Sequence, residues 1–295
     1  MQYDWYRRAQ ESIAQGSLTN SKRAETFIKG ITPTHVKSGQ GCYLFDPKGV
    51  KYTDFVCGLG TNLFGYANPN ITMAVSQQLT KGSVYSLGST LEVECAEAVK
   101  DRFSFVSKVR FLKTGTEAAI AAVRIAIAHS SRNKVLSSGY HGWADQFISL
   151  TPPATGVPKQ THIEQFTSLD QLKTDIACLI IEPIITEYNE KRVEWLKQVS
   201  DKCRKNGIIL IFDEIITGFR WPRLSFSTDS GIHPDIILLG KACGGGLPLS
   251  IVGLSRGIGD GAEYFVSSTF AGETLALAAF KETLSLLNNK FKIEN

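Results

Sequence analysis

The 295-residue sequence lacks most of the features that place a protein quickly. It has no block of five or more like charges, and its net charge is only +4, so the electrostatic footprint of a nucleic-acid binder is missing. No apolar run approaches the ~18 residues that a membrane-spanning helix requires, so no membrane partner is expected. The opening MQYDWYRRAQES has no apolar core of a secretory signal. The six cysteines, at 42, 57, 95, 178, 203 and 243, include no CxxC pair. Several lie in apolar runs, as Cys178 does in IACLIIE. They are expected to be free buried thiols of a reducing compartment, not disulfides or metal ligands, and the inferred location is the cytoplasm. Internal repeats, low-complexity tracts and obvious linkers are absent too.

What is present is an ordinary globular composition, 43% hydrophobic and 20% charged, with length enough for one large domain or two modest ones. A helix is predicted over residues 2–15, with Asp4 as a candidate N-cap, and a hairpin over 42–56 turning at Asp46-Pro47-Lys48-Gly49. Beyond Gly58 helices and strands alternate. ITMAVSQQL, LEVECAEAVKDRF, GTEAAIAAVRIAIAH, NEKRVEWLKQVSDKCRKNG and LALAAFKETLSLL have helical spacing. VRFL, KVLSS, ACLIIE, IILIFDE, DIILLG and LSIVGLS read as strands. Runs such as IILIF are apolar without alternation, as strands covered on both faces are. The expected class is therefore α/β with a mostly parallel central sheet flanked by helices. TPPATGVPKQTH, at 151–162, is expected to be a Pro-rich loop, functional or merely connecting.

Four segments at strand ends carry possible chemistry, and the carboxyl ends of strands are where open α/β sheets bind ligands. Thr114-Gly115-Thr116-Glu117 opens an Ala-rich helix and is either a plain N-cap or a phosphate cradle. Asp213-Glu214 ends IILIF; such an acid can bind a metal, pair with Arg220 or hold a protonated ring nitrogen. Lys241, in LLGKACGGGLP, follows a buried strand and precedes three glycines. Desolvation would make it a nucleophile toward carbonyls, and the glycines leave room for a bulky adduct. The run does not fit GxGxxG, so a dinucleotide is disfavoured. Tyr140-His141-Gly142-Trp143 supplies an aromatic that is either core filler or a stacking surface. Together, cradle, flat aromatic, acid and lysine are what pyridoxal 5′-phosphate (PLP) needs.

These stretches, with TFIKG, GLGTNLFGYANPNI, CLIIEPI and STFAGETLALAA, make the chain resemble the class III aminotransferases of PLP fold type I. Within them it is most similar to the glutamate-1-semialdehyde aminomutase-like branch, and the 28-residue separation of Asp213 from Lys241 agrees. The resemblance implies Lys241 as the Schiff-base lysine, Asp213 on the pyridine nitrogen and Ile215 against the ring. It implies Thr114, Gly115 and Thr116 at the phosphate, Tyr140 stacking with His141 beside it, and Glu182 of the Glu-Pro pair close to the cofactor. Glu187 falls at a polar position near the substrate. Thr269 matches a threonine that reaches the phosphate of a partner subunit, which implies a homodimer. Tyr140 joins Lys241 and Asp213 as a catalytic candidate, and no metal is expected.

The implied organisation is an N-terminal segment over 1–60, part of a small domain, then a PLP-binding large domain over 61–295, with a C-terminal small domain absent or truncated after FKIEN. The implied activity is transfer of an amino group from an amino-acid donor to a keto or aldehyde acceptor. Aminomutase chemistry is the alternative; the loop after Tyr140 lacks the long Gly/Ser-rich stretch of true aminomutases, and YHGWADQF and AGETLALAA resemble relatives that transaminate amino sugars or similar carbonyls. The alternative of another class is a non-catalytic PLP-binding or dimerisation module.

Overall fold

The computed structural model describes residues 4–28 and 30–291, without the side chains of Lys290 and Phe291. Residues 2 and 3 of the expected first helix, Lys29 of TFIKG and the closing KIEN lie outside the described residues. The chain separates into two compact units, Met1–Cys57 with Phe64–Asn68, and Gly58–Leu63 with Pro69–Asn295.

In the first unit, helix α1 spans Trp5–Ser12 and is capped by Asp4, whose carboxylate accepts from Arg7 N at 3.0 Å. Strands β1 (Ser38–Gln40), β2 (Tyr43–Phe45) and β3 (Lys51–Thr53) form an antiparallel sheet in that order. The turn between β2 and β3 is held by Asp46, whose Oδ1 accepts from Lys48 N and Val50 N, as an Asx turn requires. β1 extends the expected hairpin.

The second unit opens with helices α2 (Pro69–Leu79) and α3 (Thr90–Arg102), then strand β4 (Lys108–Leu112) and the Ala-rich helix α4 (Gly115–Ser130). Next come β5 (Lys134–Ser138), β6 (Ile163–Gln165), β7 (Ile176–Ile181), helix α5 (Glu190–Asn206), β8 (Ile209–Asp213), β9 (Ile236–Leu239), β10 (Ser250–Leu254) and helix α6 (Thr274–Phe291). The sheet order is β4-β10-β9-β8-β7-β5-β6. β10 runs antiparallel to both neighbours; the other pairs are parallel. All strands but β10 therefore point their carboxyl ends to one edge.

The uninterrupted apolar strands are buried on both faces. Cys178, Ile180, Ile209, Ile211, Ile236 and Leu238 pack under α4, while Leu179, Ile181, Leu210 and Phe212 pack with Leu196, Val199 and Cys203 of α5. Ala118, Ala119, Ala121, Ala122 and Ala126 let α4 lie close on the sheet. α6 packs against α2 and α3. Cys95, Cys178, Cys203 and Cys243 are buried free thiols, but Cys42 and Cys57 are exposed, a departure from expectation. Both belong to the first unit, whose described residues bury few side chains. Burial pushes the thiols of Cys95, Cys203 and Cys243 up to about 12, so they remain protonated and inert near neutrality.

Candidate active site

The shared edge of the parallel strands gathers the candidate residues. Thr114 follows β4, Gly139 to Gly142 follow β5, Glu182 follows β7, Asp213 ends β8, and Lys241 lies two residues past β9.

At the start of α4 the expected phosphate loop is built as a capping box. Thr114 Oγ1 accepts from Glu117 N at 3.2 Å, and Glu117 Oε2 accepts from Thr114 N at 2.8 Å and from Lys113 N at 3.0 Å. The Thr114 hydroxyl also donates to Glu117. Thr114 caps the helix. Gly115 and Thr116, in the first turn, have amides without an intrahelical acceptor, as helix geometry dictates, and offer them to an anion. Ser250, fully buried at the start of β10, fixes the loop from below by donating to the Thr114 carbonyl at 2.8 Å. The reversed direction of β10 puts its first residue at this edge. Ser250 was not singled out from sequence; its only signal is a serine opening an apolar strand.

Gly142 locks the loop after β5 onto this cradle. Its φ of +98° belongs to the region glycine favours, and a Cβ there would meet Thr116 Oγ1 at 2.1 Å. The same loop carries His141, buried, whose Nδ1 lies 2.8 Å from Asp213 Oδ2. The contact is a hydrogen bond from His141 to the carboxylate when the imidazole proton sits on Nδ1. Asp213 Oδ1 accepts from Ile215 N at 3.1 Å. Both oxygens of this buried acid are thus oriented, and His141 Nε2 is buried without a partner among the described residues. Asp213 takes its hydrogen bonds from His141 and Ile215. Glu214 takes its own from Thr217, Phe226 and Ser227. Arg220 donates to the carbonyl of Gly60.

Lys241 adopts φ +44°, left-handed and costly for a residue with a Cβ. Burial lowers its ammonium from the ordinary lysine value and the nearby Arg220 charge lowers it further, against the opposing pull of Asp213 and Glu182. Burial pushes the Glu182 carboxyl up; its Oε2 accepts from Tyr140 N at 2.8 Å. Tyr140 itself is 58% exposed, so it is a surface facing outward and not core filler. Ile215 packs within 3.3 Å of the space above Gly115. Thr269 is exposed on the segment between β10 and α6, and no described hydrogen bond joins it to this cluster. Glu187 is exposed on the segment between β7 and α5.

The cluster fits PLP on its own chemistry. A helix N-terminus with glycine beside it suits the phosphate, a buried and oriented carboxylate suits a ring nitrogen, and a desolvated amine suits the aldehyde. Such a site, on this sheet, defines an enzyme for amine and carbonyl chemistry. Comparison with known proteins agrees: the family described as Aminotransferase class-III matches residues 28–162 and 154–295. The chain belongs to the class-III aminotransferases, a family of PLP enzymes.

The chain is 32% identical to the glutamate-1-semialdehyde 2,1-aminomutase of Thermodesulfovibrio yellowstonii over 94% of its length and 71% of that protein. It is 30% identical to the enzyme of the same name from Methanothermobacter thermautotrophicus, over 97% of its length and 73% of that protein. Among solved structures, the FumI protein of Sphingopyxis sp. MTA144 in its PLP internal aldimine form superposes with a TM-score of 0.88 at 26% identity, covering 97% of this chain and 72% of that one. The ornithine aminotransferase of Toxoplasma gondii superposes with a TM-score of 0.80 at 25% identity, covering 90% and 69%.

Proposed function

We propose that this class-III aminotransferase moves an amino group from an amino-acid donor to a keto or aldehyde acceptor, with Lys241 as cofactor anchor and proton carrier. The observation that carries the reading is the convergence of a desolvated Lys241 and the His141–Asp213 pair on one sheet edge. When bound, PLP supplies an aldehyde that captures amines and a ring that accepts the electron pair released at the neighbouring carbon.

The chain's residues do the rest. Gly115 and Thr116 amides hold the phosphate. Asp213, fixed by His141 and by Ile215 N, orients the ring through its nitrogen. Ile215 and Tyr140 are assigned to the two ring faces. Lys241 Nζ, whose proton is loosened by burial, takes a proton from the substrate carbon and returns it at the acceptor carbon. Glu182, held by Tyr140 N, keeps that loop against the site. Thr269 is assigned to the phosphate of a second copy, which makes the working unit a homodimer. Its segment presents Phe265 and Phe270, 77% and 55% exposed, for such a contact. The cytoplasm is the compartment this reading takes, in keeping with six free thiols. No helix among the described residues is long and apolar enough to cross a membrane.

The test is spectral. Purified protein loaded with PLP should absorb visible light and lose that band on adding an amino donor, with recovery on adding a keto acid. Borohydride should leave PLP mass on the Lys241 peptide. Binding without donor-driven conversion would favour a non-catalytic module, and a reducible adduct in Lys241→Ala protein would remove the anchor assignment. Aminomutase chemistry is the second reading, favoured by the names of the relatives at 30–33% identity. It predicts turnover of a single substrate without a separate donor and acceptor.

A further inference from the structure

The segment between β10 and α6 is fastened to β4, α4 and the link between them by four basic side chains. Lys108 pairs with Asp260, Arg110 donates to the Val266 carbonyl, Arg124 donates to the Phe265 carbonyl at 2.6 Å, and Lys113 Nζ lies 2.9 Å from Glu273 Oε2. Three of these contacts involve exposed partners or backbone acceptors. The fourth differs: Lys113 and Glu273 side chains retain only 13% and 14% of their exposure. A pair so enclosed is little screened by solvent, and removing one partner strands the other charge.

Both members make further hydrogen bonds, Lys113 through its backbone amide and Glu273 through the same carboxylate. The Lys113 amide donates to Glu117, within the capping box that shapes the phosphate cradle. Glu273 accepts from Leu275 N at 2.7 Å and from Ala276 N at 3.2 Å, capping α6. The pair therefore ties the N-terminus of α4 to the N-terminus of α6, and to the stretch just before α6 that holds Thr269. Neither residue is assigned to contact the cofactor.

We propose that the Lys113–Glu273 ion pair is a positioning latch that holds the phosphate cradle at Thr114–Thr116 in register with the Thr269 segment, so that affinity for a phosphorylated cofactor depends on it. The inference rests on the PLP reading of the site. A purely electrostatic role would act differently. Neutralising Glu273 would then free Lys113 to attract the phosphate and tighten binding. Positioning requires both partners, so either neutralisation loosens the cradle.

Apoprotein stripped of cofactor is titrated with PLP and, separately, with pyridoxal, which lacks the phosphate, following tryptophan fluorescence. Lys113→Met and Glu273→Gln should each weaken PLP about tenfold and leave pyridoxal within about twofold of the parent. Lys113→Arg should restore most of the loss, and the double variant should be no worse than either single one. Tighter PLP binding by Glu273→Gln, equal losses for both ligands, or unchanged affinities would overturn the latch. The parent titration separates the two layers. A parent that does not prefer PLP to pyridoxal defeats the cofactor reading itself, whereas a parent that does, with unaffected variants, defeats the latch alone.

Discussion

Glu214→Gln is expected to destabilise the protein by about 3–5 kcal/mol, more than an isosteric change usually costs. Glu214 is fully buried at the end of β8. Its Oε1 accepts from Ser227 N at 2.9 Å and from the Ser227 hydroxyl, and its Oε2 accepts from Phe226 N at 2.7 Å and Thr217 Oγ1 at 3.1 Å. Burial pushes its carboxyl up, and these four donors oppose that rise only in part. Glutamine must turn its NH2 toward one of the two pairs. The hydroxyl there can rotate to accept, but the backbone N–H cannot, so one buried amide loses its acceptor, at roughly 1–3 kcal/mol. The remaining bonds fall from charge-assisted to neutral strength, which accounts for the rest. Urea unfolding at neutral pH measures the total, and hydrogen exchange at the Phe226 and Ser227 amides localises it. A loss below about 1 kcal/mol, or exchange unchanged at both amides, would refute the assignment of this carboxylate as the anchor of residues 214–227.

Gly142→Ala should cost about 2–4 kcal/mol, combining left-handed strain with displacement of Thr116, and should also weaken PLP; equilibrium unfolding and a cofactor titration check both. The rate at which apoprotein captures PLP should rise with pH and level off below the ~10.4 of an ordinary lysine, because the unprotonated Lys241 amine is the reactive form. Arg220→Gln should move that midpoint upward by removing a like charge. The same depressed value means that the unfolded chain binds the extra proton, so Lys241 makes the apoprotein gain stability as pH rises through this range and lose it as pH falls. Lys241→Met apoprotein should lack that increment in a pH series of unfolding midpoints.

The long elements were legible because their burial is simple. IILIF and IILL are covered on both faces, so the run of apolar residues alone marks them, and Gly207 ends α5 in the left-handed conformation its sequence suggests. β6 escaped notice because three residues with only Ile163 buried carry no periodicity. In the site, the places of Asp213 and Lys241 at and after buried strands are legible in the sequence. The contact that orients Asp213 could not: His141 lies 72 residues away in sequence, and only the adjacency of β5, β7 and β8 brings it near. The Lys113–Glu273 pair, 160 residues apart, was hidden for the same reason. Thr114 shows a subtler limit. Its motif is at once a capping signature and a phosphate-loop signature, and the fold uses its hydroxyl for the first while offering its neighbours' amides for the second.

The reversed strand β10 also has a temporal consequence. β4, made early, is an edge strand whose only sheet neighbour among the described residues is β10. During synthesis at ~5–20 residues per second, the ribosome must extend the chain from Lys108 to Leu254 before that neighbour exists, roughly 7–30 s. Throughout that interval Phe111 and Leu112, both buried in the finished molecule, have no strand to pair with. A nascent chain paused in this window exposes a sticky edge, and it is then that a holding chaperone would find its client.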